Sequence, residues 1–145
     1  MRIETYSDKD FDKFAALFQH WDKDLEVHRE ALRAQLHRAA ARPENRILLA
    51  VEGDSVPAYV QTRDCFDIGF EPYVEIVQLL VKKTERSKGL GTRLLNEVER
   101  TARGRGLSAV KLHSNIMRSR AHVFYERNGY TFYKCSKFYE KKLGA

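Results

Sequence analysis

The stretch VEIVQLLVKKTERSKGLGTRLLNEVERTAR, residues 74–103, organises the 145-residue chain. Its first part is apolar and rich in β-branched residues, which predicts a strand over 74–82. A basic link leads to a turn that contains Gly89 and Gly91, and apolar residues then recur with helical spacing to about Arg103. The first N–H groups of a helix have no partner within it, and the helix dipole favours negative charge there. The pattern predicts an anion site at the turn, with a plain strand–helix turn carrying solvated lysines as the alternative.

The glycine turn differs from the two best-known phosphate loops. It lacks G-x-x-x-x-G-K-[ST], and it has no third glycine to complete G-x-G-x-x-G. It reads R-x-x-G-x-G from Arg86 to Gly91, and Glu75 stands near the start of the preceding strand. This combination resembles the acetyl-coenzyme A signature of the GNAT superfamily of N-acetyltransferases. Over residues 74–94 it is similar, without a gap, to the histone acetyltransferase branch.

A second block, SNIMRSRAHVFYERNGY at residues 114–130, extends this resemblance. It is similar to the family pattern N-x-x-[RS]-x-x-A-x-x-F-Y-x-x-x-G-[FY], and two blocks in this order are more specific than either alone. Its residue pattern most resembles that of small-amine acetyltransferases, such as those that act on aminoalkylphosphonates. The resemblance covers about the C-terminal half of the chain, whereas the N-terminal half resembles the family in its predicted order of elements.

The net charge of +6 is concentrated around the glycine turn. Residues 82–105 contain eight lysines and arginines against three glutamates, a local net charge of +5. Such a surface attracts polyanions. The resemblance implies acetyl-coenzyme A, which carries several phosphates, as the cosubstrate. Nucleic acid is the competing polyanion, but the sequence has no recognisable DNA- or RNA-binding motif, so we expect no nucleic-acid partner.

The composition indicates one globular domain over residues 1–145. Hydrophobic residues make up 43% of the chain, enough for a core at this length. No apolar run approaches the ~20 residues of a membrane span, and the N-terminus lacks the apolar core of a signal peptide. We therefore expect a cytoplasmic protein without a membrane partner. Cys65 and Cys135 fit neither a disulfide framework nor a metal motif, and the five histidines form no cluster, so we expect no metal.

The periodicity predicts the element order β-α-α-β-β-β-α-β-α-β-β, an α/β arrangement with a mixed sheet. Predicted strands cover 2–6, 46–52, 57–63, 74–82, 109–113, 130–134 and 137–143. Predicted helices run from Phe11 to Phe18, from Leu25 to Ala40, over about 90–103, and from Met117 to before Gly129, with a break at 20–26. The resemblance implies that the central parallel strands, 74–82 and 109–113, splay apart and admit the pantetheine arm.

Amine acetylation needs a base, because free alkyl amines have a pKa near ~10.4. Glu75 is the candidate general base, since it is a carboxylate within an apolar strand. The alternative is a strand-edge glutamate that faces solvent or pairs with a lysine. Strand parity predicts that Gln78 lies on the opposite face from Glu75. The resemblance implies that Tyr125 is the general acid for the departing thiolate, with a core aromatic as the alternative, and that transfer is direct, without an acyl-enzyme.

The resemblance also implies which residues bind acetyl-coenzyme A. Backbone groups near Leu79 would hold the acetyl carbonyl and the pantetheine, and the glycine turn would hold the diphosphate. A helix N-cap for Asn115 and a packing role for Phe124 are the alternatives at those positions. The predicted coenzyme-binding residues are Leu79, Leu80, Val81, Arg86, Ser87, Lys88, Gly89, Leu90, Gly91, Thr92, Asn115, Ala121 and Phe124.

The acceptor is the part of the reaction on which the sequence gives least information. Acidic residues at 22–26 and 64–71 would suit a cationic amine, and ordinary loop polarity is the alternative. Arg118 or Arg120 would instead suit an aminoalkylphosphonate. We predict transfer to the primary amine of a small molecule. Peptide N-acetylation is the enzyme alternative, a basic binding module that keeps the fold is the non-enzyme alternative, and a homodimer is also open.

Overall fold

The computed structural model describes residues 1–19 and 28–144. The chain divides into two compact units, Met1–His113 and Ser114–Ala145. The described part of the first unit contains five strands and three α-helices, and that of the second unit contains one α-helix. The strands are β1 (Arg2–Thr5), β2 (Asn45–Glu52), β3 (Ser55–Cys65), β4 (Tyr73–Val81) and β5 (Val110–Lys111). The helices are α1 (Phe11–Phe18), α2 (Arg29–Ala40), α3 (Leu90–Gly104) and α4 (Ser119–Arg127).

The five strands form one mixed sheet in the order β1-β2-β3-β4-β5. The first four strands pair as antiparallel neighbours, and β5 pairs with β4 in parallel. Parallel neighbours need a long crossover, and α3 supplies it. The predicted α/β arrangement with a mixed sheet is therefore confirmed for these five strands.

Different helices cover the two faces of the sheet. On one face, Leu49, Tyr59 and Leu80 belong to an apolar cluster that α1 and α2 complete. On the other face, alternate residues such as Val60 and Ile76 are buried, and α3 directs its own buried side chains toward β3 and β4. Successive side chains of a strand point to opposite faces. Cross-strand register therefore decides which helices each polar strand residue meets.

A β-bulge in β4 resets the alternation of its side chains. Gln61 and the residue after it are in register with Gln78 and Ile76, so Val77 is an extra residue without a partner in β3. An extra residue in one strand reverses the parity of the positions beyond it. Glu75 and Gln78 consequently lie on the same face. The prediction from simple parity, which put them on opposite faces, is wrong.

The parallel pairing of β4 with β5 is short. It consists of Val74 with Val110 and Glu75 with Lys111, whereas β4 continues to Val81. β5 is also shorter than the predicted strand over 109–113. Beyond Glu75, β4 is therefore paired with β3 on one side and is not paired with β5 on the other.

The two predicted C-terminal strands, 130–134 and 137–143, are not formed. Residues 131–144 have no strand assignment and are all exposed. Their aromatic pattern favours extended backbone, but a strand persists only where its N–H and C=O groups find a neighbouring strand. The element order at this end of the chain therefore differs from the prediction.

Two helices begin later than predicted. His28 has extended backbone with φ of −71° and ψ of 139°, so α2 begins at Arg29 and not at Leu25. Leu25 and the predicted break at 20–26 lie outside the described residues. α4 begins at Ser119, two residues after the predicted start at Met117.

Candidate active site

The turn between β4 and α3 has the backbone shape of an anion site. Ser87 and Gly89 are left-handed, with φ of 68° and 83°, and Ser87 is the one non-glycine residue with a positive φ in the described part of the chain. Such residues can turn successive N–H groups toward one side and form a concave site for an anion. α3 begins at Leu90, and Arg93 donates to the Gly89 carbonyl at 3.0 Å. The helix leaves its first N–H groups without a helical acceptor.

Charged side chains surround this turn and are held by local contacts. Arg86 Nε donates to the carbonyl of Val81 at 3.2 Å, and Lys88 Nζ lies 2.7 Å from the carboxylate of Glu85. The Glu85 carboxylate raises the pKa of Lys88. Residues 86–89 are exposed. An anion that reaches the turn would therefore meet both unpaired amides and positive side chains.

Glu75 lies on the face of the sheet that α1 and α2 cover. Its partner in β3 is Arg63, whose Nη2 atom is 3.3 Å from Glu75 Oε1. The side chain of Glu75 is 27% exposed and that of Arg63 is 47% exposed, so the ion pair is open to solvent. Glu75 therefore forms an ion pair, as the alternative to a base role describes, but its partner is an arginine and not a lysine. Its solvent access still allows an amine or a water molecule to approach the carboxylate.

A polar row continues from Glu75 toward a cavity beneath α1 and α2. Gln61 and Gln78 are cross-strand partners on this face, next to the pair formed by Arg63 and Glu75. The phenol of Tyr59 donates to Gln78 Oε1 at 2.7 Å, and burial raises the pKa of Tyr59 well above its ordinary value. Tyr59 and both glutamines line a cavity of about 100 Å³ together with side chains of α1 and α2.

Asp64, which the sequence placed in an acidic acceptor loop, is engaged by arginines. It points to the face that α3 covers, and its carboxylate lies 2.9 Å from Arg46 and 2.8 Å from Arg105. Asp67 accepts a hydrogen bond from the Tyr73 phenol at 2.7 Å. Two acids of the predicted loop therefore already have partners within the chain. The other predicted acidic loop, 22–26, lies outside the described residues.

The second unit carries the predicted general acid on α4. The Tyr125 ring lies edge-on to Phe124 and Tyr130, with centroid distances of 5.2 Å and 5.9 Å. Burial raises the pKa of the Tyr125 phenol, and the positive charge of Arg118 partly offsets this. Ala121 lies one turn earlier on the same helix. A phenol held in its protonated form is suited to donate a proton.

Asn115 shapes the turn before α4. Its Oδ1 atom accepts a hydrogen bond from the N–H of Met117 at 2.8 Å. Its carbonyl oxygen accepts from the N–H of Arg118 at 2.9 Å and lies 2.9 Å from His122 Nε2. The N-cap of α4 is Arg118. Asn115 therefore caps the preceding turn and not the helix itself, so the alternative role of Asn115 as a helix N-cap is wrong.

Three further properties concern the part of the chain that the structure describes. Within it, no three histidine, cysteine, aspartate or glutamate side chains form a group that could hold a metal ion. Cys65 and Cys135 are free thiols. None of the described helices has the length and apolar character that a membrane span requires.

Sequence reasoning missed Tyr59, Gln61 and Arg63, which bring β3 into the site. None of them belongs to a recognised motif, and each reaches the site through pairing with β4. Their spacing of two residues was a signal, since alternate strand residues share a face. The sequence did not reveal which residues of β4 they oppose, because the bulge at Val77 changes the register.

The sequence model described as "Acetyltransferase (GNAT) family" matches residues 11–130. The chain therefore belongs to the acetyltransferase (GNAT) family. Enzymes of this family use acetyl-coenzyme A, and the chain is an N-acetyltransferase. No curated protein sequence matches the chain.

Solved acetyltransferase structures share the fold over nearly the whole chain. A putative acetyltransferase from Agrobacterium tumefaciens superposes with a TM-score of 0.87 at 20% identity, covering 97% of this chain and 100% of that one. The aminoglycoside 6'-N-acetyltransferase AAC(6')-IG from Acinetobacter haemolyticus gives 0.82 at 16% identity, covering 99% and 100%. AAC(6')-Iy in complex with the bisubstrate analog CoA-S-monomethyl-acetylneamine gives 0.83 at 14% identity, covering 98% of each chain. At these identities the likeness establishes the fold.

Proposed function

We propose that this enzyme transfers the acetyl group of acetyl-coenzyme A to the primary amine of a small molecule, by direct attack in a ternary complex. The observation that carries the proposal is a pair of features associated with strand β4, one near its start and one beyond its end. Glu75, a solvent-accessible carboxylate, lies near the start of β4, and the left-handed turn at Ser87 and Gly89 follows its end. One feature suits proton removal from an amine, and the other suits a phosphate anion.

The coenzyme would lie along β4 and end at the glycine turn. Beyond Glu75, β4 is not paired with β5, so backbone groups of residues 79–81 can bind the pantetheine amides as an added strand would. The N–H groups of residues 86–92 would then hold the diphosphate. Arg86 and Lys88 would add positive charge beside it. The resemblance described above adds Asn115, Ala121 and Phe124 to the proposed coenzyme contacts.

The chemical step would remove two protons from the acceptor nitrogen and replace the C–S bond of the thioester with a C–N bond. Glu75 accepts the amine proton, directly or through water, and Arg63 orients the carboxylate that does so. The amine nitrogen attacks the thioester carbon, and an N–H group near Leu79 stabilises the resulting oxyanion. The C–N bond forms in this attack, and the C–S bond breaks when the tetrahedral intermediate collapses. The phenol of Tyr125 protonates the departing thiolate, and the resulting phenolate takes up the second proton that the nitrogen releases. Amide and free coenzyme A are the products.

A small acceptor is favoured over a peptide by the cavity beneath α1 and α2. Its volume of about 100 Å³ suits a short side group, and a peptide would instead need an open groove. The neighbours named as aminoglycoside N-acetyltransferases act on amines, which is consistent with an amine acceptor here. The resemblance to enzymes that act on aminoalkylphosphonates gives the second candidate acceptor. For this candidate, basic residues such as Arg118 and Arg120 would need to reach the phosphonate.

An amine panel tests the proposal directly. Purified enzyme is incubated with acetyl-coenzyme A and one amine at a time, including aminoalcohols, diamines, aminoalkylphosphonates, aminoglycosides and lysine-bearing peptides. Free thiol and acetylated amine are measured together. We expect amine-dependent thiol release that matches product formation. Two results together would favour the basic binding module. No amine of the panel would increase thiol release, and acetyl-coenzyme A would bind no more tightly than inorganic polyphosphate, with the same sensitivity to salt.

A further inference from the structure

The described residues that line the cavity beneath α1 and α2 are apolar or are polar without a formal charge. Gln35, Gln61 and Gln78 line it together with apolar side chains such as Phe14 and Leu32. Among the residues that the structure describes, its lining contains no aspartate, glutamate, lysine, arginine or histidine. An unpaired charge is strongly disfavoured in such surroundings, whereas a hydroxyl or amide group finds donors and acceptors. The described part of the lining therefore suits an uncharged, polar guest.

Tyr59 fixes the orientation of one of these carboxamides. The residue is 1% exposed, and its phenol donates to Gln78 Oε1 at 2.7 Å. Because the phenol donates to Oε1, it fixes which way the carboxamide of Gln78 points and leaves the Nε2 group to donate to a guest. Gln61, directly opposite on β3, can both donate and accept. The two glutamines together match a hydroxyl group, which also donates and accepts.

The glutamine pair lies one step along the sheet from the candidate base. Gln61 and Arg63 are two residues apart on β3, and their partners on β4 are Gln78 and Glu75. At the rise of a strand, ~3.4 Å per residue, the two pairs are about 7 Å apart. An acceptor whose amine lies at Glu75 can therefore place the far end of a short chain at the glutamines.

We infer, on the basis of the proposed acetyl transfer, that this cavity is the specificity subsite for the acceptor. It takes the uncharged hydroxyl- or amide-bearing end of a short aliphatic amine, and it excludes a second ammonium group, a carboxylate or a phosphonate. Its volume of about 100 Å³ is smaller than the ~150 Å³ of a cavity that binds benzene. The guest group therefore has only a few heavy atoms. Gln61 and Gln78 contact it, and Tyr59 is a positioning residue.

Four amines with the same five-carbon chain test this inference: aminopentanol, pentylamine, diaminopentane and aminopentanoate. The value of kcat/KM for each is measured by thiol release. We expect aminopentanol to exceed diaminopentane and aminopentanoate by about tenfold or more, because the other two bring a second charge into the cavity. The ratio of aminopentanol to pentylamine should fall roughly three- to tenfold in Gln78→Leu. Tyr59→Phe should lower it less.

Asn96→Leu is the matched control, because it makes a similar change at an exposed position of α3. It should leave the ratio of aminopentanol to pentylamine unchanged. The ratio is informative because a general loss of folding or activity lowers both rates equally. Preference for diaminopentane or aminopentanoate in the wild type, or an unchanged ratio in Gln78→Leu, would overturn the subsite while leaving acetyl transfer intact.

A binding measurement covers the case in which no amine is acetylated, an outcome that would overturn the proposed function. In NMR spectra of the full chain, aminopentanol should shift the side-chain amide resonances of Gln61 and Gln78, and diaminopentane should not. Equal shifts with both compounds, or no shift with either, would overturn the subsite independently of turnover.

Discussion

The glycine turn and the α1/α2 face of the sheet both adjoin β4, but they are built in different ways. The turn is local, since two left-handed residues and the start of α3 lie within residues 87–90 and act through backbone N–H groups. The α1/α2 face is assembled across strands, with side chains of β3 aligned against β4 by a bulge at Val77. The glycine turn, which is the coenzyme half of the proposed site, thus depends on consecutive residues. The α1/α2 face with Glu75, which is the acceptor half, depends on the register of β3 and β4.

Glu75→Gln should give the largest fall in turnover, and this fall should arise in the acceptor half of the site, without a change in coenzyme binding. Without the base, the amine must arrive already neutral, so we expect kcat to fall about 100-fold or more near neutral pH. The loss should shrink as pH rises toward the amine pKa of ~10.4. The Kd for acetyl-coenzyme A, measured by calorimetry, should stay unchanged. Glu97→Gln on α3 is the matched control, and equal rates in both variants across the pH profile would remove Glu75 from the mechanism.

Asp64→Asn sharpens the comparison, because Asp64 and Glu75 are carboxylates on neighbouring strands that face opposite sides of the sheet. Asp64 is 10% exposed and bridges Arg46 and Arg105. Its removal leaves two partly buried guanidinium groups without a counter-ion, so the free energy of unfolding should fall by about 2 kcal/mol. Denaturant titration measures this. A fall in kcat as large as that of Glu75→Gln, in protein that is still folded, would contradict a purely structural role.

Gly89→Ala should act on the coenzyme half alone. An L-residue at the φ of 83° found for Gly89 is strained, and relief of that strain would turn the N–H groups of the turn away from a bound diphosphate. We expect the Kd for acetyl-coenzyme A to rise about tenfold, with the preference among amines unchanged. Gly106→Ala carries a similar strain, at a φ of 74°, beyond the end of α3. If both variants bound acetyl-coenzyme A equally well, the turn would not be the phosphate site.

Tyr125→Phe should change kcat less than Glu75→Gln does, and its effect should appear in the pH profile of kcat. Burial raises the pKa of the Tyr125 phenol, so the proton donor stays protonated through neutral and mildly alkaline pH. The alkaline fall in kcat should therefore lie above the ordinary tyrosine pKa of ~10. Tyr125→Phe should abolish this fall and slow transfer by up to about tenfold. Full activity with an unchanged profile in Tyr125→Phe would return Tyr125 to a packing role.

The sequence predicted the local features well because their cause is local. The strand, the glycine turn and the helix from 74 to 103 follow from apolar spacing and from the backbone freedom of Gly89. The face of Gln78 was predicted wrongly, because the unpaired Val77 arises from the pairing of two strands and has no signature in β4 alone. The charge partners of Asp64 escaped prediction for the same reason, since Arg46 and Arg105 lie far from it in the sequence.

The C-terminal segment shows the same limit at the level of whole elements. Its alternating aromatic residues favour strands over 130–134 and 137–143. A strand also needs a partner, and these residues have no sheet pairing and are almost wholly exposed. The sequence of such a segment shows its preference for extended backbone, but it does not show whether a neighbouring strand is there to pair with it.

Initial-velocity kinetics test the central claim, direct transfer from coenzyme to amine, most directly. The rate of thiol release is measured while acetyl-coenzyme A and the best amine of the panel are varied together. A ternary complex gives double-reciprocal lines that intersect, and the mass of the protein stays unchanged after incubation with acetyl-coenzyme A alone. Parallel lines, with a protein that gains the mass of one acetyl group, would contradict direct attack and indicate an acyl-enzyme instead.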